Sequence, residues 1–176
     1  MTFWKTFFQR SIFSYTNSNQ PLQNDELLIQ KLNYKSNVVD IYLSTDKYVN
    51  LIELEKLCDS VGWVRRPISK VKTAMKNSFL IVSLVRKINT SRHLVGFARA
   101  TSDHAFNATI WDVVIHPEFQ GYGLGATLMH QLIQKLRYAE ISTITLFADP
   151  NVTSFYHNLG FISDPDGVKG MFWYPR

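Results

Sequence analysis

The spacing of apolar positions changes period several times along the chain, and each change marks an element. "VVDIYL", from Val38 to Leu43, sets β-branched and aromatic residues between polar ones and predicts a strand. From Asp46, "DKYVNLIELEKLCDSVG" places Tyr48, Leu51, Leu54 or Ile52, and Cys58 at helical steps with Gly62 just beyond, which predicts an amphipathic helix with an acidic cap. A short second helix follows Pro67, with Ile68, Val71 and Met75 on one face; proline in the first turn gives up an N–H that has no helical acceptor anyway.

Three strand signals come next, "FLIVSLVR", "LVGFARAT" and "NATIWDVVI", joined by "KINTSRH" and "SDHAF". Connections that short allow only antiparallel neighbours, so the expectation is a meander. Leu124, Leu128, Leu132 and Leu136, with Met129 and Ile133 beside them, mark a helix of about four turns. "ISTITLFAD" then alternates to Asp149, and strand, helix, strand in succession predicts a parallel βαβ crossover. "NVTSFYHNLG" predicts a short helix ended by Gly160, and "GMFWY" a last strand that closes the sheet. The fold class is α+β (mixed α/β): a mostly antiparallel central sheet with one parallel crossover at its middle, flanked by helices.

At 176 residues, with 45% hydrophobic and 14% aromatic content, the chain suits one domain with its own core. No apolar run approaches the roughly 20 residues of a membrane span, so no membrane association is expected. The single cysteine, Cys58, rules out an internal disulfide and a multi-cysteine zinc site, and it suits a small buried apolar position better than a nucleophile. No metal is called for. A net charge of +5 would suit an acidic ligand, but the basic residues are scattered, with Arg65–Arg66 and Arg86–Lys87 the only adjacent pairs, so a nucleic-acid module finds little support. Residues 1–24 hold Lys5 and Arg10 but no acid, and they include the polar, turn-rich "SYTNSNQPLQN". They predict a flexible arm or a vestigial targeting segment ahead of a single domain over residues 25–176.

One stretch asks for more than structure. In "HPEFQGYGLGATLMHQLI" glycines occupy positions 121, 123 and 125, directly before the leucine helix, although glycine loses more backbone freedom on folding than any other residue. The first N–H groups of a helix lack intrahelical acceptors and sit at its positive end, and glycines let such a backbone curl close to an anion, so the pattern predicts a phosphate site. A P-loop would continue with lysine and then serine or threonine, whereas Ala126 and Thr127 follow Gly125. A Rossmann fingerprint needs G-x-G-x-x-G after the first strand of a parallel unit, whereas here G-x-G-x-G follows a meander.

"QGYGLGA" after the strand "WDVVIHPEF" resembles the Q/R-x-x-G-x-G/A signature of the GCN5-related N-acetyltransferase (GNAT) superfamily, and "FYHNLGF" from Phe155 to Phe161 is similar to that family's later Phe-Tyr…Gly-Phe motif. The resemblance covers roughly Val38 to the C-terminus. It implies a GNAT fold and acetyl-CoA as cosubstrate. The pyrophosphate would rest on backbone amides from Gln120, Gly121, Tyr122, Gly123, Leu124, Gly125 and Ala126. The backbone of Val113, Val114 and Ile115 would pair with the pantetheine arm, and Asn151, Phe155 and Tyr156 would add contacts from the later motif. "FARATSDHAFNATIWDVVIHPEFQGYGLG", "ITLFAD" and "DPDGVKGMFWYPR" look like the plastid and cyanobacterial branch that includes plant serotonin N-acetyltransferases, some of which also acetylate protein lysines and N-termini. That likeness implies the plastid stroma, or the cytoplasm of a cyanobacterium.

Acetyl transfer to an amine needs a base, because an alkyl ammonium titrates near pH ~10 and cannot attack while charged. It also needs a donor for the carbonyl oxygen and an acid for the departing thiolate. The resemblance implies Tyr156 as the acid and the backbone around Val113 to Ile115 as the donor. Asp149, at the carboxyl end of a parallel strand, is the candidate base, though it could equally cap the helix that follows. Asp112, His116 and His104 are rivals; strand alternation would put Trp111 and Val113 on one face and Asp112 and Val114 on the other. Family members often carry an acid on the strand before the glycines, and near the start of that strand this chain has Thr109. Trp63, Phe106 and Phe172 could hold the acceptor, either a small arylalkylamine or a protein amine. The expectation is a direct-transfer N-acetyltransferase, monomeric or homodimeric; the alternative is a catalytically silent acetyl-CoA sensor or subunit.

Overall fold

Asn50, not Asp46, starts the first helix. Its side-chain oxygen accepts from the N–H groups of Ile52 and Glu53 at 3.0 and 3.3 Å, so α1 spans Leu51–Ser60. Asp46 instead closes a tight turn by accepting from the Tyr48 N–H at 2.8 Å. The computed structural model describes residues 25–35, 37–88 and 91–174; the arm expected over residues 1–24 lies outside them. α2 (Ile68–Lys76) follows Pro67 as the sequence predicts.

Among the described residues the strands are β1 (Glu26–Tyr34), β2 (Asn37–Ser44), β3 (Leu80–Ile88), β4 (Ser91–Ser102), β5 (Asn107–Ile115) and β6 (Thr143–Leu146), and they form a six-stranded sheet in sequential order. Neighbours are antiparallel except β5 and β6, which run parallel because α3 (Leu124–Tyr138) carries the chain back between them. α4 (Thr153–Asn158) follows β6 after a 3-10 turn at Pro150–Val152.

Two expectations fail at the end of the chain. Only Thr143–Leu146 of "ISTITLFAD" pairs with β5, and Gly170–Tyr174 is not a strand, so β6 and the parallel pair lie at the sheet's edge. Met171 and Trp173 are 94% and 84% exposed, which leaves those β-forming residues without a surface to pack on.

Helices cover both faces of the sheet. On one side Leu124, Leu128, Met129, Leu132 and Leu136 of α3 are fully buried against Val82, Leu84, Ala98, Ala100, Ala108 and Ile110. Each leucine taken out of water contributes about 1.5–3 kcal/mol. On the other side Leu54 and Leu57 of α1 and Met75 of α2 pack on Ile81, Phe97 and Val114. β3 is buried from both faces, hence its unbroken apolar run.

The site is made where the parallel pair comes apart. Pairing stops at Ile110↔Leu146, just past a contact between the Thr109 and Thr145 hydroxyls at 3.0 Å. Beyond it β5 continues from Trp111 to Ile115 beside β4 alone, while the chain after β6 turns away toward Pro150. The result is a fork with one unpaired strand edge inside it.

Candidate active site

At the top of the fork the chain leaves β5 through His116 and a 3-10 turn, Pro117–Phe119. Phe119 is buried, stacks on the Tyr34 ring at 4.4 Å and 6°, and fixes where the following glycines begin. Gly121 and Gly123 hold φ at 81° and 77°, a region that costs other L residues about 1–2 kcal/mol. Gly123 caps α3 in that conformation. A Cβ at either position would meet nothing within 4 Å, so both glycines are there for backbone shape, and the space above them is open.

Among the described residues none of the N–H groups from Gly121 to Ala126 donates to a protein acceptor; the first helical bond is Thr127 N–H to Gly123 O at 3.0 Å. Gln120 is different. Its N–H donates to Pro117 O at 3.2 Å and its Nε2 to Ile115 O at 3.0 Å, so it shapes the loop and offers it no amide. The remaining groups at a helix N-terminus, with Gly121, Tyr122 and Gly123 exposed, form an electropositive cradle suited to a diphosphate.

β5 contains a bulge that the sequence concealed. Arg99 pairs with Trp111 and Phe97 with Val114, so Ala98 faces both Asp112 and Val113, and Asp112 takes φ 56°. The extra residue resets the alternation. Ala108 and Ile110 pack on the α3 side, and so do Val113 and Ile115, whereas Val114 packs under α1. Val113 therefore does not share the face of Trp111, contrary to simple alternation. The His116 N–H donates to Val95 O at 2.9 Å, so the backbone of Val114 also turns toward β4, and that of Val113 and Ile115 toward the fork, where Gln120 Nε2 already takes the Ile115 carbonyl.

Opposite this edge lies the later motif. Phe155 rests on the start of α3: a Cβ built on Gly125 would stand 3.5 Å from Phe155 Cζ and 3.8 Å from Ile115 Cγ1. The glycine loop, the unpaired part of β5 and α4 thus converge. Tyr156 is half-buried, edge-on to Phe155 and Phe161 at 5.0 and 6.0 Å. Burial and, secondarily, the negative charge of Asp149 push its phenol above the ordinary tyrosine value, so it keeps its proton. Asp149 is exposed and stands where a cap would, yet its side chain makes no capping hydrogen bond. Asn151 lies exposed in the turn between them.

The rivals have structural partners. Asp112 is bound by Arg99 Nε at 2.6 Å and Arg66 Nη1 at 3.0 Å, with its side chain only 13% exposed. His116 Nδ1 accepts from the Glu118 N–H at 3.3 Å, and His104 packs edge-on to Phe79 at 4.8 Å. Burial raises the Cys58 thiol's pKa, as suits an apolar filler.

Of the three aromatics expected around the acceptor, Phe172 reaches the fork, through Phe147 at 5.0 Å, and Phe147 meets Trp111 at 5.7 Å. Phe106 precedes β5 at its far end, and Trp63 belongs to the α1–α2 loop. Trp111 and Phe147, which face each other across the mouth, were missed. Their signal was their register just past the last paired row, legible only once the fork is known.

The acetyltransferase (GNAT) family model matches residues 48–161, from just before α1 to the end of the later motif. The chain is 64% identical over 178 residues to the uncharacterized N-acetyltransferase ycf52 of Porphyra purpurea, covering 100% of both. It is 43% identical over 174 residues to the chloroplastic GCN5-related N-acetyltransferase 2 of Arabidopsis thaliana, covering 89% of this chain and 67% of that one. An acetyltransferase of the GNAT family from Streptococcus pneumoniae shares the fold, with a TM-score of 0.65 at 22% identity over 77% of this chain and 98% of that one. A bare amide cradle beside an unpaired strand edge, a matching family model and relatives along the whole chain lead to one conclusion: the chain belongs to the GNAT family and is an N-acetyltransferase of that type.

Proposed function

We propose that the chain moves an acetyl group from acetyl-CoA directly to a primary amine, within a complex of both substrates. The observation that carries this reading is the run of unclaimed N–H groups from Gly121 to Ala126 at the head of a fork whose β5 edge is unpaired. Those amides hold the pyrophosphate. The open backbone of Val113 and the N–H of Ile115 pair with the pantetheine arm as a neighbouring strand would, with Val114 between them, and Asn151 and Phe155 close the other side.

In the transfer, Asp149 takes a proton from the acceptor ammonium directly or through water, and the neutral nitrogen attacks the thioester carbon. The Val113 N–H, turned into the fork, supports the carbonyl oxygen as negative charge grows; one such donor is worth roughly 3–4 kcal/mol. As the new C–N bond forms and the C–S bond breaks, Tyr156 gives its proton to the sulfur, and the second proton, shed by the nitrogen as it becomes an amide, returns to the phenolate directly or through water. A phenol kept protonated by burial suits that step.

The acceptor is a small arylalkylamine such as serotonin, or a protein lysine or N-terminal amine, met by Trp111, Phe147 and Phe172 at the mouth. A plastid setting is supported by the chloroplastic relative. The deciding experiment incubates the protein with acetyl-CoA and a panel of amines, following free thiol and product mass. Amine-dependent thiol release with a product 42 Da heavier, by the chemistry of acetylation, is expected; tight acetyl-CoA binding without release for any amine would leave a silent sensor.

A further inference from the structure

The carboxylate of Asp112 is the most constrained acid at the fork, and the transfer steps make no use of it. It sits on the bulged residue of β5, in a left-handed conformation at φ 56°. Arg99 Nε reaches one of its oxygens at 2.6 Å and Arg66 Nη1 the other at 3.0 Å. Arg99 comes from β4, the strand that backs the bulge, and is 12% exposed; Arg66 comes from the α1–α2 loop on the same face. One guanidinium on each oxygen fixes where this carboxylate sits and how it is turned.

With Val114 paired to Phe97 of β4, strand alternation puts the N–H of the peptide joining Asp112 to Val113 on the fork side. Its direction depends on the torsion at Asp112, and that torsion is disfavoured unless something holds it. Resting on the acetyl-transfer reading, we propose that Asp112 is a positioning residue: Arg99 and Arg66 clamp its carboxylate, and the clamped bulge aims the Val113 N–H at the thioester carbonyl. Arg66 also ties the α1–α2 loop to the same carboxylate, so that loop and the bulge are held by one group.

A clamp and a base respond differently to asparagine. Asparagine tolerates the left-handed region and keeps one oxygen for Arg99, whereas alanine keeps neither property. The test measures kcat, KM for both substrates and the pH profile of kcat for Asp112→Asn, Asp112→Ala and Arg66→Ala, with acetyl-CoA binding followed by calorimetry. The expected order of kcat is wild type, then Asp112→Asn within about fivefold, then Asp112→Ala at least about tenfold down, with KM for acetyl-CoA within about twofold throughout. The acidic limb of the profile stays in place in Asp112→Asn.

Arg66→Ala, at a side chain already 42% exposed, keeps the fold and lowers kcat by about threefold; it carries the test should Asp112→Ala fail to fold. Full kcat in Asp112→Ala or in Arg66→Ala overturns the clamp, and so does an Asp112→Asn enzyme as inert as the alanine variant with its acidic limb gone, which would mark a base. Wild type that neither binds acetyl-CoA nor releases thiol overturns the acetyl-transfer reading itself, an outcome distinct from any pattern among the variants.

Discussion

Phe155 packs on Gly125 at a distance that leaves room for one methyl group, since a Cβ there would stand 3.5 Å from Phe155 Cζ. Gly123, only two positions earlier, has no neighbour within 4 Å but a φ of 77°. The two glycines therefore differ: Gly123 is needed for its backbone conformation, whereas Gly125 has room for alanine. Gly125→Ala should leave stability unchanged or raise it by up to about 1 kcal/mol, because alanine favours the helix. Gly123→Ala should cost about 1–2 kcal/mol and also weaken acetyl-CoA binding, because it disturbs the curl that presents the amides. Urea unfolding and calorimetry read both effects; equal stability of the two variants would contradict the assignment.

Tyr156→Phe removes the proton proposed for the leaving sulfur but keeps the ring that packs on Phe155 and Phe161. Turnover should fall about ten- to hundredfold with little change in KM for acetyl-CoA. Burial and the Asp149 charge raise the wild-type phenol, so the alkaline limb of kcat should lie above tyrosine's ordinary value of about 10 and vanish in the variant. Unchanged turnover removes Tyr156 from the mechanism.

What the sequence made legible was whatever repeats at a short, regular interval. The leucines from Leu124 to Leu136 fix α3 by their period, and the apolar, β-branched runs between polar turns fix β3, β4 and β5. The glycine loop was legible because few backbones need glycine at alternate positions. β1 was not: its partner register slips twice and Lys31 turns left-handed, so "ELLIQKLNY" shows no clean alternation. The bulge at Asp112 was hidden for a related reason, since a single inserted residue exchanges the faces of everything after it. Arg66 and Arg99 find Asp112 from positions 46 and 13 residues away, distances at which local spacing carries no information.

Asp149→Asn distinguishes a base from a cap. The aspartate makes no capping hydrogen bond, so the substitution should leave the melting temperature nearly unchanged. Activity should fall most near neutral pH and recover partly as pH rises toward the acceptor amine's own pKa near ~10, where less help is needed to free the nitrogen. A loss of the same size at every pH, accompanied by a lower melting temperature, would assign Asp149 a structural part instead.

Glu118 joins the β1–β2 turn to the turn that launches the glycine loop: Tyr34 Oη donates to its Oε2 at 2.8 Å, and Lys35 Nζ pairs with its Oε1 at 2.5 Å. The Lys35 hydrogen bond first, and that of Tyr34 second, hold its carboxyl below the usual glutamate value. A folded-state pKa that is depressed favours folding above the unfolded value of about 4.3, and the benefit is lost as pH falls through the lower folded value. Glu118→Gln should therefore melt below wild type at pH 7, and the gap should narrow as pH drops past about 4. Lys35 and Glu118 are solvent-exposed, so the gap should be small and should shrink further in high salt. Because the same contact sets the approach to Gly121, the variant should also bind acetyl-CoA more weakly at pH 7. A melting gap that stays constant down to pH 3 would mean that the charge on Glu118 does not hold the two turns together.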